Sequence, residues 1–236
     1  MSARLEALLL DAAGTLLRLR EPAAEVYLRI AARNGIARTL PEIARALAIA
    51  RIAPPPLEGI PLSDVPARER EGWRGVVRAA LGDAAADGPC FDAIFSEYSR
   101  PDAWELVPGV WDALLAVRAR GLRCAVVSNM DARLPRLLAA LGLGQAFDAL
   151  VLPSTCGLAK PDPQIFAFAL ARLGVQAEAA LYVGDRETDC VAAARAAGLH
   201  AWRLDPEAPA GSANALASWA ELDARLAAFA PASRSG

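Results

Sequence analysis

Three short apolar runs, each stopped by a polar residue, set the frame of this 236-residue chain. Leu8-Leu9-Leu10 stops at Asp11, Cys124-Ala-Val-Val at Ser128-Asn129, and Leu181-Tyr-Val at Gly184-Asp185, with Asp189 four residues on. Runs of this length bounded by turn signals read as strands buried on both faces of a parallel sheet. A fourth strand is predicted over residues 149–153, with Lys160 opening the helix that follows. Ligands of open parallel sheets bind beyond the carboxyl ends of the strands. Asp11, Ser128, Asp185 and Lys160 therefore bring polar groups from four separate segments to one crevice.

Between residues 18 and 104 the strand signals stop. Residues 21–32, 41–52, 67–81 and 91–99 carry Ala, Leu and Ile at helical spacing and predict four helices, broken in the middle by the Pro-rich loop 53–61. From residue 107 to about 204 helix and strand alternate, the pattern of βαβ units. Residues 214–229 predict a final amphipathic helix, and 231–236 a disordered tail. The fold class is thus α/β, a doubly wound parallel sheet. It is built from residues 1–17 and 105–230, with a helical domain, 18–104, inserted after the first strand. Two domains meeting over a crevice predict a lid whose closure excludes water.

Composition narrows the function classes. The net charge is −2 with both signs mixed along the chain, so no basic stripe argues for nucleic acid. A membrane span needs roughly 20 apolar residues in a row, and no run approaches that. The first apolar run does not suit a signal peptide, because cleavage there would remove Asp11. Cys90, Cys124, Cys156 and Cys190 show neither Cys-x-x-Cys pairing nor metal-ligand spacing, and Cys124 reads as a buried free thiol. A reducing cytoplasm is the expected compartment. Of the 25 basic residues, 24 are arginine; the single lysine is Lys160. A compact ammonium fits a tight anionic pocket where a planar guanidinium does not.

The set Asp11-x-x-Gly-Thr-Leu, Ser128-Asn129, Lys160-Pro-Asp-Pro-x-Ile-Phe and Gly184-Asp185 with Asp189 resembles the four motifs of the haloacid dehalogenase (HAD) superfamily, in order and approximate spacing. The continuation Leu17-Arg-Leu-Arg-Glu-Pro-Ala-Ala-Glu-Val-Tyr is similar to the group named haloacid dehalogenase-like hydrolase domain-containing protein three. The resemblance implies a helical cap that selects substrate and a sheet domain that does the chemistry. It implies Asp11 as nucleophile, Lys160 as its cationic partner, and Ser128 as a donor to a phosphoryl oxygen with its amide at a helix N-terminus. Asn129 and Thr15 would assist in substrate binding. Mg²⁺ would be held by Asp11, the main-chain carbonyl of Ala13 and Asp185, with Asp189 acting through water or orienting Asp185. Arg18, Arg20, Arg51, Arg68 and Arg70 are among the cations available to the cap.

Ala13 breaks the pattern. Phosphatases of the superfamily usually carry a second aspartate there, which protonates the leaving alcohol and then activates water; a methyl group does neither. The expected activity is Mg²⁺-dependent hydrolysis of a small phosphorylated metabolite, slow or selective for good leaving groups. Two alternatives stand beside it: a non-catalytic module binding a phosphorylated ligand or a protein, and a 2-haloacid dehalogenase-like hydrolase. The Gly184-Asp185 pair favours the metal-dependent phosphoryl site over the dehalogenase. A phosphonoacetaldehyde hydrolase needs a cap lysine, which this chain lacks. His200, Trp104, Trp111 and Trp202 read as structural.

Overall fold

Strand composition decides the sheet. The computed structural model describes residues 4–50, 56–209, 211–227 and 229. Its strands are β1 (Ala7–Leu10), β2 (Leu17–Leu19), β3 (Trp104–Leu106), β4 (Arg123–Val127), β5 (Ala149–Val151), β6 (Ala180–Gly184), β7 (His200–Leu204) and β8 (Ala215–Leu216). Six of them form one sheet in the order β5-β4-β1-β6-β7-β8, every neighbouring pair parallel. β1 is buried along its whole length. Successive residues of a strand point to opposite faces. Accordingly Leu8 and Leu10 pack with Val126 and Val183 on one side, while Ala7 and Leu9 pack with Val127 and Tyr182 on the other. Both faces need apolar side chains, so the strands read as continuous runs.

The helices are α1 (Ala23–Arg33), α2 (Leu40–Ile49), α3 (Val65–Leu81), α4 (Asp83–Ala86), α5 (Pro89–Glu97), α6 (Val110–Ala119), α7 (Leu134–Ala140), α8 (Pro153–Cys156), α9 (Gln164–Leu173), α10 (Ala192–Ala196) and α11 (Leu222–Leu226). Leu114 of α6, Leu137 of α7 and Leu222 of α11 join the first face; Phe166 of α9 and Ala194 of α10 join the second. The chain runs from β1 out to β4 and β5, then crosses back to β6 on the other side of β1. That reversal leaves a crevice at the carboxyl ends of β1 and β6, where Asp11 and Asp185 follow their strands.

The inserted helices α1, α2, α3 and α5 bury Tyr27, Ile43, Trp73, Phe91 and Tyr98 with one another. The rings of Trp73 and Tyr98 stand 5.9 Å apart and those of Tyr27 and Tyr98 6.2 Å apart. Helix α2 begins where Thr39 and Glu42 meet, the Thr39 amide donating to the Glu42 carboxylate at 2.8 Å. No helix among the described residues is long and apolar enough to cross a membrane.

Several expectations shift. The predicted all-helical stretch begins and ends in a strand: β2 and β3 pair antiparallel, Leu17 opposite Leu106 and Leu19 opposite Trp104. Three-residue strands give no periodicity, and only the returning chain pairs them. The helix predicted over 214–229 is instead β8, a 3₁₀ turn at Trp219–Glu221 and the short α11. Residues 215 and 216 are claimed by the edge of β7, which offers backbone partners no helix can use. Lys160 does not open a helix; α9 starts at Gln164, whose amide donates to Asp162 at 2.9 Å. Trp111 is half exposed, while Trp104 and Trp202 are buried as expected. Arg51, the first residues of the Pro-rich loop and the tail 231–236 lie outside the described residues.

Candidate active site

At the end of β1 the backbone hands Asp11 to β6, its amide donating to the Val183 carbonyl at 3.0 Å. The two carboxylate oxygens then have different partners. Oδ1 accepts the Ala12 amide at 2.7 Å; Oδ2 meets the Lys160 ammonium at 2.8 Å and accepts the Cys190 thiol at 3.3 Å. Asp11 and Lys160 are only 5% and 4% exposed, so this is a desolvated pair. Burial lowers the lysine pKa, but the Asp11 carboxylate and its hydrogen bond outweigh that and hold the ammonium charged.

Two residues that sequence reasoning passed over complete this floor. Tyr182 stands on β6 two residues before Gly184, and its hydroxyl accepts from the Lys160 ammonium at 3.1 Å. A Cβ on Gly184 would come within 2.9 Å of the Tyr182 ring, so glycine there is the space the phenol occupies. Burial, with Asp11 adding to it, pushes the Cys190 thiol up to about 12 and the Tyr182 phenol well above its ordinary value. Both stay protonated. The signal available in sequence was the polar hydroxyl of Tyr182 inside an otherwise apolar strand.

Asp185 follows β6 against the loop after β1. A Cβ on Gly14 would sit 2.3 Å from the Asp185 carboxylate, and φ at Gly14 is +79°, so two independent constraints demand glycine. Among the described residues Asp185 Oδ1 is buried without a hydrogen-bond partner. Burial and the Asp11 charge raise its pKa to about 6. With both carboxylates ionised, one ammonium faces two anions in a desolvated space. An orphaned carboxylate oxygen, a second carboxylate and the Ala13 main-chain carbonyl are hard oxygen donors of the kind Mg²⁺ takes. The residues present therefore fit the cation. Asp189 stands in the π-helical turn Glu187–Val191, where Arg186 pairs with it at 3.1 Å and Thr188 donates to it at 3.2 Å. Among the described residues no group of three or more His, Cys, Asp and Glu side chains gathers as a metal cluster.

The β4 loop contributes Ser128 and Asn129. The Ser128 amide donates to the Val151 carbonyl at 3.1 Å and its Oγ accepts the Met130 amide at 3.2 Å, with no acceptor for the hydroxyl proton among the described residues. The expected helix N-terminus is not there, because α7 begins six residues later at Leu134. Asn129 clamps the main chain of Lys160 from both sides, donating to its carbonyl at 2.8 Å and accepting from its amide at 2.7 Å. That makes it a support for Lys160. Thr15 is fully buried, its Oγ1 unpartnered among the described residues and its carbonyl accepting from Trp219 at 2.9 Å. Arg18 and Arg20 pair with Glu105, and Arg70 with Asp92, all at the surface.

The insert meets this loop through charged groups that sequence reasoning did not single out. Trp73 of α3 donates to Asp131 at 2.6 Å. Arg133 pairs with Asp131 and donates to the Phe95 carbonyl at 2.7 Å and the Ser99 hydroxyl at 2.9 Å. Glu69 of α3 accepts the amides of Ala132 at 3.2 Å and Ser154 at 3.1 Å. Burial raises the Glu69 pKa, partly offset by the Ala132 amide.

A doubly wound sheet carrying a buried Asp–Lys pair and a second aspartate across its switch point defines a Rossmann-like α/β protein with a helical insert. The chain belongs to the haloacid dehalogenase-like hydrolase family, whose model matches residues 5–198. It is 33% identical over 223 residues to haloacid dehalogenase-like hydrolase domain-containing protein 3 of Mus musculus, covering 90% of this chain and 88% of that one. It is 34% identical over 168 residues to a phosphoserine phosphatase of Thermus thermophilus, covering 69% and 66%. A HAD family hydrolase from Deinococcus radiodurans, solved with bound phosphate and sodium, superposes with a TM-score of 0.67 at 27% identity, over 98% of this chain and all of that one.

Proposed function

We propose that the protein is a Mg²⁺-dependent phosphatase of a small phosphorylated metabolite, acting through an aspartyl-phosphate on Asp11. The observation that carries this reading is the 2.8 Å Asp11–Lys160 pair, buried at the sheet's switch point beside the orphaned oxygen of Asp185. The Asp11 carboxylate attacks phosphorus, the ester oxygen leaves on the opposite side, and water then hydrolyses the aspartyl-phosphate. Lys160 offsets the charge of nucleophile and phosphoryl group together, and Ser128 has a hydroxyl proton to give a phosphoryl oxygen. Asp11, Asp185 and the Ala13 carbonyl would hold a Mg²⁺, which would supply further positive charge to those oxygens. Asp189 steadies that side of the site from the neighbouring turn. The phosphatase among the relatives and the bound phosphate of the Deinococcus structure support the same substrate class. The helical insert, residues 18–104, acts as the cap, with residues 1–17 and 105–230 as the core. Four free thiols, three of them buried, suit a reducing cytoplasm.

Ala13 sets the rate. Losing a general acid costs roughly 10²–10⁴-fold, or about 3–5 kcal/mol of barrier, for leaving groups that need a proton. Acyl phosphates leave as carboxylates and need none. The test is phosphate release from acetyl phosphate and from glycerol phosphate, with and without Mg²⁺, in the natural chain, Asp11→Asn and Ala13→Asp. Mg²⁺-dependent release from acetyl phosphate alone is expected, abolished in Asp11→Asn and extended to glycerol phosphate in Ala13→Asp. No release from either substrate in any form would sink the catalytic reading and leave the non-catalytic phospho-ligand module, which Ala13 favours, as the better account.

A further inference from the structure

The loop that carries Ser128 and Asn129 is held at its other end by the helical insert. Ser128 and Asp131 are three residues apart, and among the described residues the Asp131 carboxylate is bound from outside its own loop by α3, and through Arg133 it is linked to the end of α5. Trp73 donates to Asp131 at 2.6 Å; Arg133, paired with Asp131, reaches the Phe95 carbonyl and the Ser99 hydroxyl. The Arg133 guanidinium also stacks over the Phe95 ring at 3.6 Å and the Trp73 ring at 5.1 Å. Glu69 adds two main-chain anchors, one on this loop at Ala132 and one at Ser154 in the first turn of α8. Asp131 and Glu69 are 4% and 3% exposed, so these polar groups are spent on the interface and not on solvent. On the other side of the loop, Asn129 holds the main chain of Lys160, and Lys160 holds Asp11. An unbroken line of contacts therefore joins Trp73 of the insert to the nucleophile.

We propose that Asp131 and Arg133, clasped by Trp73 and the end of α5, are positioning residues that make placement of Ser128 and Lys160 depend on the insert being seated. They touch no reacting atom. The inference rests on the phosphatase reading for its kinetic consequence, but the clasp itself does not. Guanidinium geometry makes the clasp specific: a planar fork pairs with one carboxylate, bonds two further acceptors and stacks on a ring, which a lysine ammonium cannot do at once.

Trp73→Phe removes one N–H and keeps a ring; Arg133→Lys keeps a cation beside buried Asp131 but gives up the fork. Arg133→Lys changes no core residue and Trp73→Phe keeps an aromatic ring in the insert's core, so both variants are expected to fold. Each variant is compared with the natural chain by acetyl phosphate kinetics with Mg²⁺, inhibition by inorganic phosphate, thermal midpoint, and hydrogen exchange at the amides of Met130, Ala132 and Arg133. A positioning role predicts kcat lowered about ten-fold or more and the phosphate inhibition constant raised by a similar factor. It also predicts faster exchange confined to residues 128–133, with the midpoint little changed. Kinetics within two-fold of the natural chain, together with a lowered midpoint, would show a merely structural clasp and overturn the proposal. If the natural chain releases no phosphate, the phosphatase reading fails by itself, and loop exchange still decides: unchanged protection in both variants overturns the clasp.

Discussion

The floor of the crevice and the interface above it bury charge in opposite ways. Below, at the ends of β1 and β6, Asp11, Lys160, Tyr182 and Cys190 converge from strand ends and a loop pinned to them, within a sheet whose two faces are closed by apolar side chains. Above, Glu69, Asp131 and Arg133 link two segments that pack mainly by their own cores, and most of their bonds are to main-chain groups of the other side. A buried pair pinned to strand ends takes most of its geometry from the sheet, and the insert reaches it only through the loop of Asn129. Polar groups shared across an interface keep theirs only while both halves are together, since separation returns them to water at little cost. The first arrangement suits a nucleophile; the second suits a contact that forms and breaks.

Breaking the floor should cost most. Lys160→Met leaves Asp11 buried and uncompensated, and removing one partner of such a pair destabilises by about 3–5 kcal/mol. Urea unfolding measures it, and a loss below about 1 kcal/mol would mean that water already reaches Asp11. Tyr182→Phe is the intermediate case. It deletes the acceptor of one charge-assisted bond while keeping the ring that packs edge-on against Phe166 at 5.0 Å. The expected loss is about 1.5–3 kcal/mol, and phosphate release should fall with it; an unchanged stability and rate would show that Lys160 is held by Asp11 alone. The smallest effect should come from Arg18→Ala, whose pair with Glu105 at 2.7 Å joins two side chains 53% and 29% exposed. Exposed pairs contribute about 0–1 kcal/mol, so thermal unfolding should move little. A large drop there would instead assign the β2–β3 ribbon a part in holding the insert.

Where residues carried a local reason for their place, sequence was enough. Leu8, Leu9 and Leu10 could only be a buried strand, and the polar residue after each apolar run marked the crevice. The only lysine pointed to the partner of Asp11 because arginine fills the other Lys/Arg positions. Helices α1, α2, α3 and α5 were legible from spacing alone, to within two or three residues at most of their ends. The misses have a common cause. β2, β3 and β8 exist because a distant segment offers backbone partners, and no residue in them announces it. Ser128 follows its strand as expected, but the helix start that should have lent it an amide lies six residues on, a matter of loop length that spacing does not reveal.

Sequence by itself thus determined the parallel sheet, the run of helices in the insert and the meeting of Asp11, Lys160 and Asp185, because burial on two faces and polar strand ends are written residue by residue. Only tertiary structure decided that Tyr182 and Cys190 share the floor, that Asn129 serves Lys160, and that Trp73 reaches Asp131. Those contacts join residues 22 to 179 positions apart. Their partners are chosen by how the layers pack, and a hydroxyl, thiol or indole N–H has no preference until packing brings an acceptor within reach.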